Sequence, residues 1–155
     1  MQKFIGTKLI EATPMSRGVY NEYRGWQAPV DENPKDEGYL VKYPDGYESW
    51  SPKETFEAAY HENGKFTYGM AHYMMKHHGK KVARAGWNGK GMFIYYVPAN
   101  EYPADGNKLG TMKGVFPNDM VPYGAYVAMK TAQNNVVPWL CSQTDADAED
   151  WEVID

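Results

Sequence analysis

A length of 155 residues leaves room for one ordinary domain or two small ones, and 43% apolar, 23% charged and 15% aromatic content is that of a globular chain, not a disordered one. The net charge of -4, with no basic run longer than Lys80-Lys81, argues against polymeric DNA or RNA, which is held through many phosphate contacts. The longest apolar run, Met92 to Val97, is too short to span a bilayer, the N-terminus lacks a signal-peptide core, and the single cysteine, Cys141, cannot form an internal disulfide, so the chain reads as cytoplasmic with no membrane partner.

In chain order, two modules are expected, residues 1–60 and 66–155, joined by the polar stretch His61 to Lys65. The first opens with a candidate strand, Lys3 to Ala12, and a short helix, Ser16 to Arg24. A Pro- and acid-rich loop follows from Pro29 to Gly38. Tyr39 to Tyr43 and Tyr47 to Trp50 read as paired strands around the Pro44-Asp45-Gly46 turn. Ser51 reads as the N-cap of a helix running to about Tyr60, with Pro52 in its first position and Glu54 completing a capping box.

The second module begins with a helix from Thr67 to His78, capped by Thr67 and stopped by Gly79. Lys80 to Trp87 and Met92 to Val97 read as strands around an Asn88-Gly89 hairpin turn. Asn100 to Pro122 reads as a long loop. A second hairpin joins Tyr126 to Thr131 with Asn135 to Leu140 around Gln133-Asn134. Ala146 to Asp150 is an acidic turn or short helix, and Trp151 to Ile154 closes the sheet. The expected fold class is α+β, with small antiparallel sheets and flanking helices.

Two motifs suit a nucleotide. The Gly86 to Gly91 tract could present backbone N–H groups to phosphate, although it equally suits a tight hairpin and matches no Walker or dinucleotide fingerprint. Trp139 precedes Ser142-Gln-Thr-Asp145, so a stacking ring stands beside groups able to read base or ribose edges. A core tryptophan before a polar turn would look the same. The spacings of His72, His77 and His78 do not set a metal pair on one helical face, and Asp145, Asp147 and Glu149 lack the glycine and distal Glu of a calcium loop. Cys141 sits in an apolar context without a basic neighbour, and no serine lies in a nucleophile elbow. The residues supply no catalytic group, metal or cofactor.

The second module resembles the Thoeris anti-defence type 2 family of phage proteins. The likeness rests on Gly79-Lys-Lys-Val-Ala-Arg-Ala-Gly-Trp-Asn-Gly-Lys-Gly-Met92, Met129-Lys-Thr131, Val137-Pro-Trp-Leu-Cys-Ser-Gln-Thr-Asp145 and Glu149-Asp-Trp-Glu152, in matching order across about the last 90 residues. Cys141 stands where the family usually has Ala, the helix near Tyr68 is a residue longer, and Pro98 to Tyr126 matches poorly. The first module looks like a segment often joined to this family in phage genomes, through Pro14-Met-Ser-Arg-Gly18 and Tyr47-Glu-Ser-Trp-Ser-Pro52.

The resemblance implies a sponge: a homotetramer in the cytoplasm of the infected bacterial host that captures a cyclic ADP-ribose-type signal, glycocyclic ADP-ribose, without cleaving it. Some family members also take cyclic di- or trinucleotides at a separate site. Nanomolar capture needs about 12 kcal/mol, against about 1–3 kcal/mol per base–aromatic stack and about 1.5–3 kcal/mol per charged hydrogen bond. The candidates are Trp87 and Trp139 for stacking with Tyr68 or Phe66 as a further wall, Arg84 and Asn88 as donors to phosphate or ribose, and Gln143, Thr144 and Asp145 for polar edges. The alternatives are a hydrolase of the same signal, and an acidic protein–protein inhibitor of a host nuclease.

Overall fold

The computed structural model describes residues 1–105 and 109–155, with backbone but not side chain at residues 88 and 89. The chain forms two compact units, Met1–His61 and Glu62–Asp155. Both are α+β, and every strand pairing in them is antiparallel.

In the first unit β1 (Glu11–Pro14), β2 (Gly38–Lys42) and β3 (Glu48–Pro52) form a sheet in that order. Helix α1 (Arg17–Arg24) is capped by Ser16, whose hydroxyl accepts from the Val19 N–H at 3.3 Å, and ends at Gly25 in the left-handed conformation, φ 70°. Helix α2 (Lys53–Ala59) packs Phe56 on Tyr39 of β2, with ring centroids 4.1 Å apart.

Three expectations change here. The strand expected over Lys3 to Ala12 covers only Glu11–Pro14, because Glu11 pairs with Lys42 and the Pro44–Gly46 turn then leaves residues upstream without a partner. Ser51 does not cap α2. It belongs to the β2–β3 ladder opposite Tyr39, Pro52 takes the cap position without a side-chain bond, and the Lys53 N–H donates instead to the Glu37 carbonyl at 3.1 Å. The His61 to Lys65 stretch is no free linker: the Asn63 amide donates to the Val153 carbonyl (3.0 Å) and accepts from its N–H (2.7 Å).

The second unit is built on α3 (Tyr68–His78) and a five-stranded sheet. The strands are β4 (Lys81–Arg84), β5 (Phe93–Val97), β8 (Tyr126–Lys130), β9 (Val136–Pro138) and β10 (Trp151–Ile154), in the order β10-β4-β5-β8-β9. Thr67 caps α3 and Gly79 ends it at φ 60°. Its Ala71, Met74 and Met75, three and four residues apart and so on one face, pack with Val82, Ile94 and Trp151 as the buried core. Trp151 is 0% exposed. Burying an indole removes roughly 150–250 Å² from water, about 4–6 kcal/mol at ~25 cal/mol per Å².

No Asn88-Gly89 hairpin forms; Ala85–Lys90 is a 3₁₀ helix. The β4–β5 pairing joins Val82 to Ile94, both 0% exposed, and so is centred on residue 88 itself. A two-residue turn would have to be centred between 88 and 89, and that one-residue slip would turn a core side chain to solvent. The segment expected as a loop over Asn100 to Pro122 contains a two-stranded ribbon, β6 (Asn100–Pro103) with β7 (Met120–Tyr123), hidden in the sequence by a proline in each strand. A short helix α4 (Gln143–Asp147) precedes β10, three residues earlier than expected.

Candidate functional site

Helix α4 is set by Ser142-Gln-Thr-Asp145. The Ser142 hydroxyl accepts from the Asp145 N–H at 3.1 Å and donates to the Asp145 carboxylate at 2.9 Å. The other carboxylate oxygen of Asp145 accepts from the Arg84 guanidinium at 2.9 Å, and the Asp145 carbonyl accepts from the Trp151 indole N–H at 2.9 Å. Arg84 also donates to both carboxylate oxygens of Asp150, at 2.9 and 3.4 Å. Strand register explains that second pair: Arg84 lies opposite Trp151, so Asp150 arrives beside it.

These contacts engage Arg84, the expected donor to phosphate or ribose, within the fold itself. The hydrogen bonds that Arg84 donates to Asp150 and then to Asp145 push its pKa up and fix its charge between two carboxylates. A phosphate brought to Arg84 would face a locally acidic cluster, whereas neutral ribose or base groups would not.

The outer side of α4 and Arg84 border an open concavity of about 660 Å³, completed by Gln143, Thr144, Ala146, Asp147 and Ala148. Gln143 and Thr144 are exposed there. Asp145 is not among the lining residues; it acts behind the wall.

Phe66, Tyr68, Trp87 and Trp139 are half-buried and pack against the core around Trp151. The Trp151 ring centroid lies 5.4 Å from Tyr68, 5.4 Å from Trp87 and 6.0 Å from Trp139, the two tryptophans meeting it edge to face. Tyr68 and Trp139 are 5.8 Å apart, and Phe66 exchanges both backbone hydrogen bonds with Trp151. The nominated residues therefore fall into two groups: Arg84, Gln143 and Thr144 at the concavity, and four rings built into the aromatic edge of the core. The side chain of Asn88 lies outside the described residues.

Burial and the Asp145 charge push the Cys141 thiol up, so it stays protonated near neutral pH. His77 and His78 pack on the Tyr73 ring, and His72 on Tyr68 and Tyr96. Among the described residues there is no group of three His, Cys, Asp or Glu side chains able to hold a metal. Sequence reasoning grouped Ser142 with the polar residues after Trp139 and placed Trp151 in the closing strand, but missed the cap that Ser142 forms, the Arg84–Asp150 pair and the place of Trp151 at the centre of the aromatic cluster. Ser142 was legible in the Ser-x-x-Asp capping pattern, but nothing local marks Asp150 as a partner of Arg84.

The sequence model of the Thoeris anti-defense 2-like domain matches residues 66–154. Among curated proteins, Thoeris anti-defense 2 of Bacillus phage SP01 is 37% identical over 90 residues, spanning 58% of this chain and 96% of that relative. The matched span contains every nominated residue, the concavity and the aromatic cluster, and leaves the first unit outside.

Proposed function

The chain belongs to the Thoeris anti-defense 2-like family, which makes it a phage anti-defence protein, and from that premise we propose that it binds and sequesters a cyclic ADP-ribose-type immune signal, glycocyclic ADP-ribose, without cleaving it. By holding the signal it would block activation of the host Thoeris effector. The same reading makes the chain a homotetramer in the cytoplasm of the infected bacterium, with cyclic di- or trinucleotides as further ligands and without catalytic turnover.

The observation that carries the reading is the concavity of about 660 Å³ inside the family-matched span. Its volume suits a small ligand, for which pockets of roughly 300–1,000 Å³ are usual. Gln143 and Thr144 offer uncommitted donors and acceptors for ribose and base edges. The half-buried rings of Trp87 and Trp139, which do not line the concavity, are the stacking candidates of this reading. Arg84, held by its two carboxylates, orders the wall, and its remaining N–H groups suit neutral oxygens better than phosphate.

A capture-and-release assay tests the proposal. The purified protein is mixed with glycocyclic ADP-ribose, filtered to remove free ligand and heat-denatured, and the released material is identified by mass spectrometry. Intact ligand appearing only after heating is the expected result. A cleaved product would replace the sponge by a hydrolase, and ligand that never co-purifies would overturn the assignment of this signal.

A further inference from the structure

Residues 1–10 belong to no strand or helix, and within them Phe4 is 86% and Ile5 99% exposed. They lead directly into β1, an outer strand of its sheet whose four residues are all exposed. The β1–β2 ladder starts at Glu11 opposite Lys42, and the Pro44–Gly46 turn prevents its extension upstream. Residues 3–10, on the order of 30 Å in extended length, therefore add no strand to this sheet; Lys8 Nζ lies 4.7 Å over the Tyr43 ring and Ile10 is half-buried. An unpaired apolar strand of this kind is a template for another chain.

The segment is complementary to itself. Laid antiparallel on a second copy and centred on Thr7, it sets Lys3 opposite Glu11, Phe4 opposite Ile10, Ile5 opposite Leu9, Gly6 opposite Lys8, and Thr7 opposite Thr7. One face then carries the ion pairs, the Ile–Leu pairs and the Thr–Thr pair; the other carries the Phe–Ile and Gly–Lys pairs. Opposite-charge, apolar and Thr–Thr partners directly across a ladder are favourable. Neighbouring registers lose this. A centre between Thr7 and Lys8 sets Glu11 against Phe4, one on Lys8 sets Lys8 against itself, and one between Gly6 and Thr7 sets Lys3 against Ile10 and Lys8 against Ile5.

We propose that residues 3–11 of two copies of this chain pair as antiparallel strands about a two-fold axis at Thr7. Each strand runs on into its own β1, so the pairing joins two three-stranded sheets edge to edge. The first unit is then a self-association module.

Cysteine cross-linking tests the register. Directly opposite Cα atoms in an antiparallel pair lie at about 4.5 or 5.5 Å, within the usual disulfide span of about 4.4–6.8 Å. In a Cys141→Ser background, Thr7→Cys should form a covalent dimer on mild oxidation at least about five-fold faster than Gly6→Cys or Lys8→Cys alone, while a mixture of those two chains should cross-link readily. Adding Lys3→Glu to Thr7→Cys sets a carboxylate against Glu11 and should slow dimer formation several-fold, with the circular dichroism unchanged. Cross-linking by Thr7→Cys no faster than by Gly6→Cys, or indifference to Lys3→Glu, would overturn the proposal.

Discussion

The indole N–H of Trp151 donates to the backbone carbonyl of Asp145 at 2.9 Å. Trp151 is the largest fully buried side chain of the second unit, and Asp145 belongs to the helix that walls the concavity. A five-residue helix has too few internal hydrogen bonds to stand alone. Its position comes from this bond to the core, the Ser142 cap and the Arg84 ion pair. The wall is thus tied to the core beneath it, which is what a site needs to hold its polar groups ready for a ligand.

That arrangement ranks two substitutions. Removing the Asp145 charge with Asp145→Asn leaves Arg84 paired with Asp150 and should lower the unfolding free energy by about 1 kcal/mol, given the partial exposure of the pair. Arg84→Gln leaves Asp145 and Asp150 facing each other without a cation and should cost more, about 2 kcal/mol. Urea titrations of the two variants decide the ranking; equal midpoints would show that the carboxylates do not repel and that the brace is not electrostatic.

Gln143 and Thr144 are exposed at the concavity, and among the described residues no side-chain hydrogen bond ties them to the fold. Gln143→Ala and Thr144→Ala should therefore change stability by no more than about 0.5 kcal/mol. If each makes one hydrogen bond to the captured signal, each should weaken capture by about 5- to 10-fold, the equivalent of ~1–1.4 kcal/mol. Trp139→Ala should abolish capture and also lower the melting temperature, because Trp139 packs on Trp151 and Trp87. Unchanged affinity in both alanine variants at α4 would move the ligand away from this concavity.

In the first unit the close approach of β2 to β3 depends on Gly38. A Cβ at that position would collide with the Ser51 carbonyl oxygen and with the Trp50 ring. The carbonyl belongs to the paired strand and the ring packs beneath the Arg17 guanidinium, 5.1 Å away, so neither can withdraw freely. Gly38→Ala should destabilise the unit by roughly 1–3 kcal/mol. Hydrogen exchange at the β2 and β3 amides is the suitable readout; protection equal to that of the parent would mean that the strands shift without cost.

What the sequence disclosed and what it concealed separate by range. The cap at Thr67, the stop at Gly79, the Pro44–Gly46 turn and the closing strand at Trp151 are local or strongly patterned, and the structure has them all. The Asn88-Gly89 turn signal was overridden because Val82 and Ile94 must both face the core, a constraint visible only once the two strands are paired. Of the two readings of Trp139, the structure shows the core one: the ring is half-buried against Trp87 and Trp151. The Arg84 role could not be read, because Asp145 and Asp150 lie more than sixty residues away and reach it through the β4–β10 pairing.

Acid should act on the two units in separate windows. In the second unit, burial, helped by Lys76 and His77, holds the His72 pKa below its ordinary 6.5. The unfolded chain then binds the proton more readily than the folded one, so the contribution is fully present above pH 6.5 and is lost as pH falls through the folded value. In the first unit, hydrogen bonds from Arg17 and then Asn21 hold the Glu32 carboxyl below its ordinary 4.5. Its contribution is therefore present above pH 4.5 and fades only as the solution becomes more acidic than that. Lowering pH from 7.5 to 5.5 should weaken the second unit while leaving the Glu32 interaction intact, and His72→Gln should flatten the dependence. Hydrogen exchange followed separately in α3 and β2 across this range provides the check, and an α3 slope unaltered by His72→Gln would remove His72 as its origin.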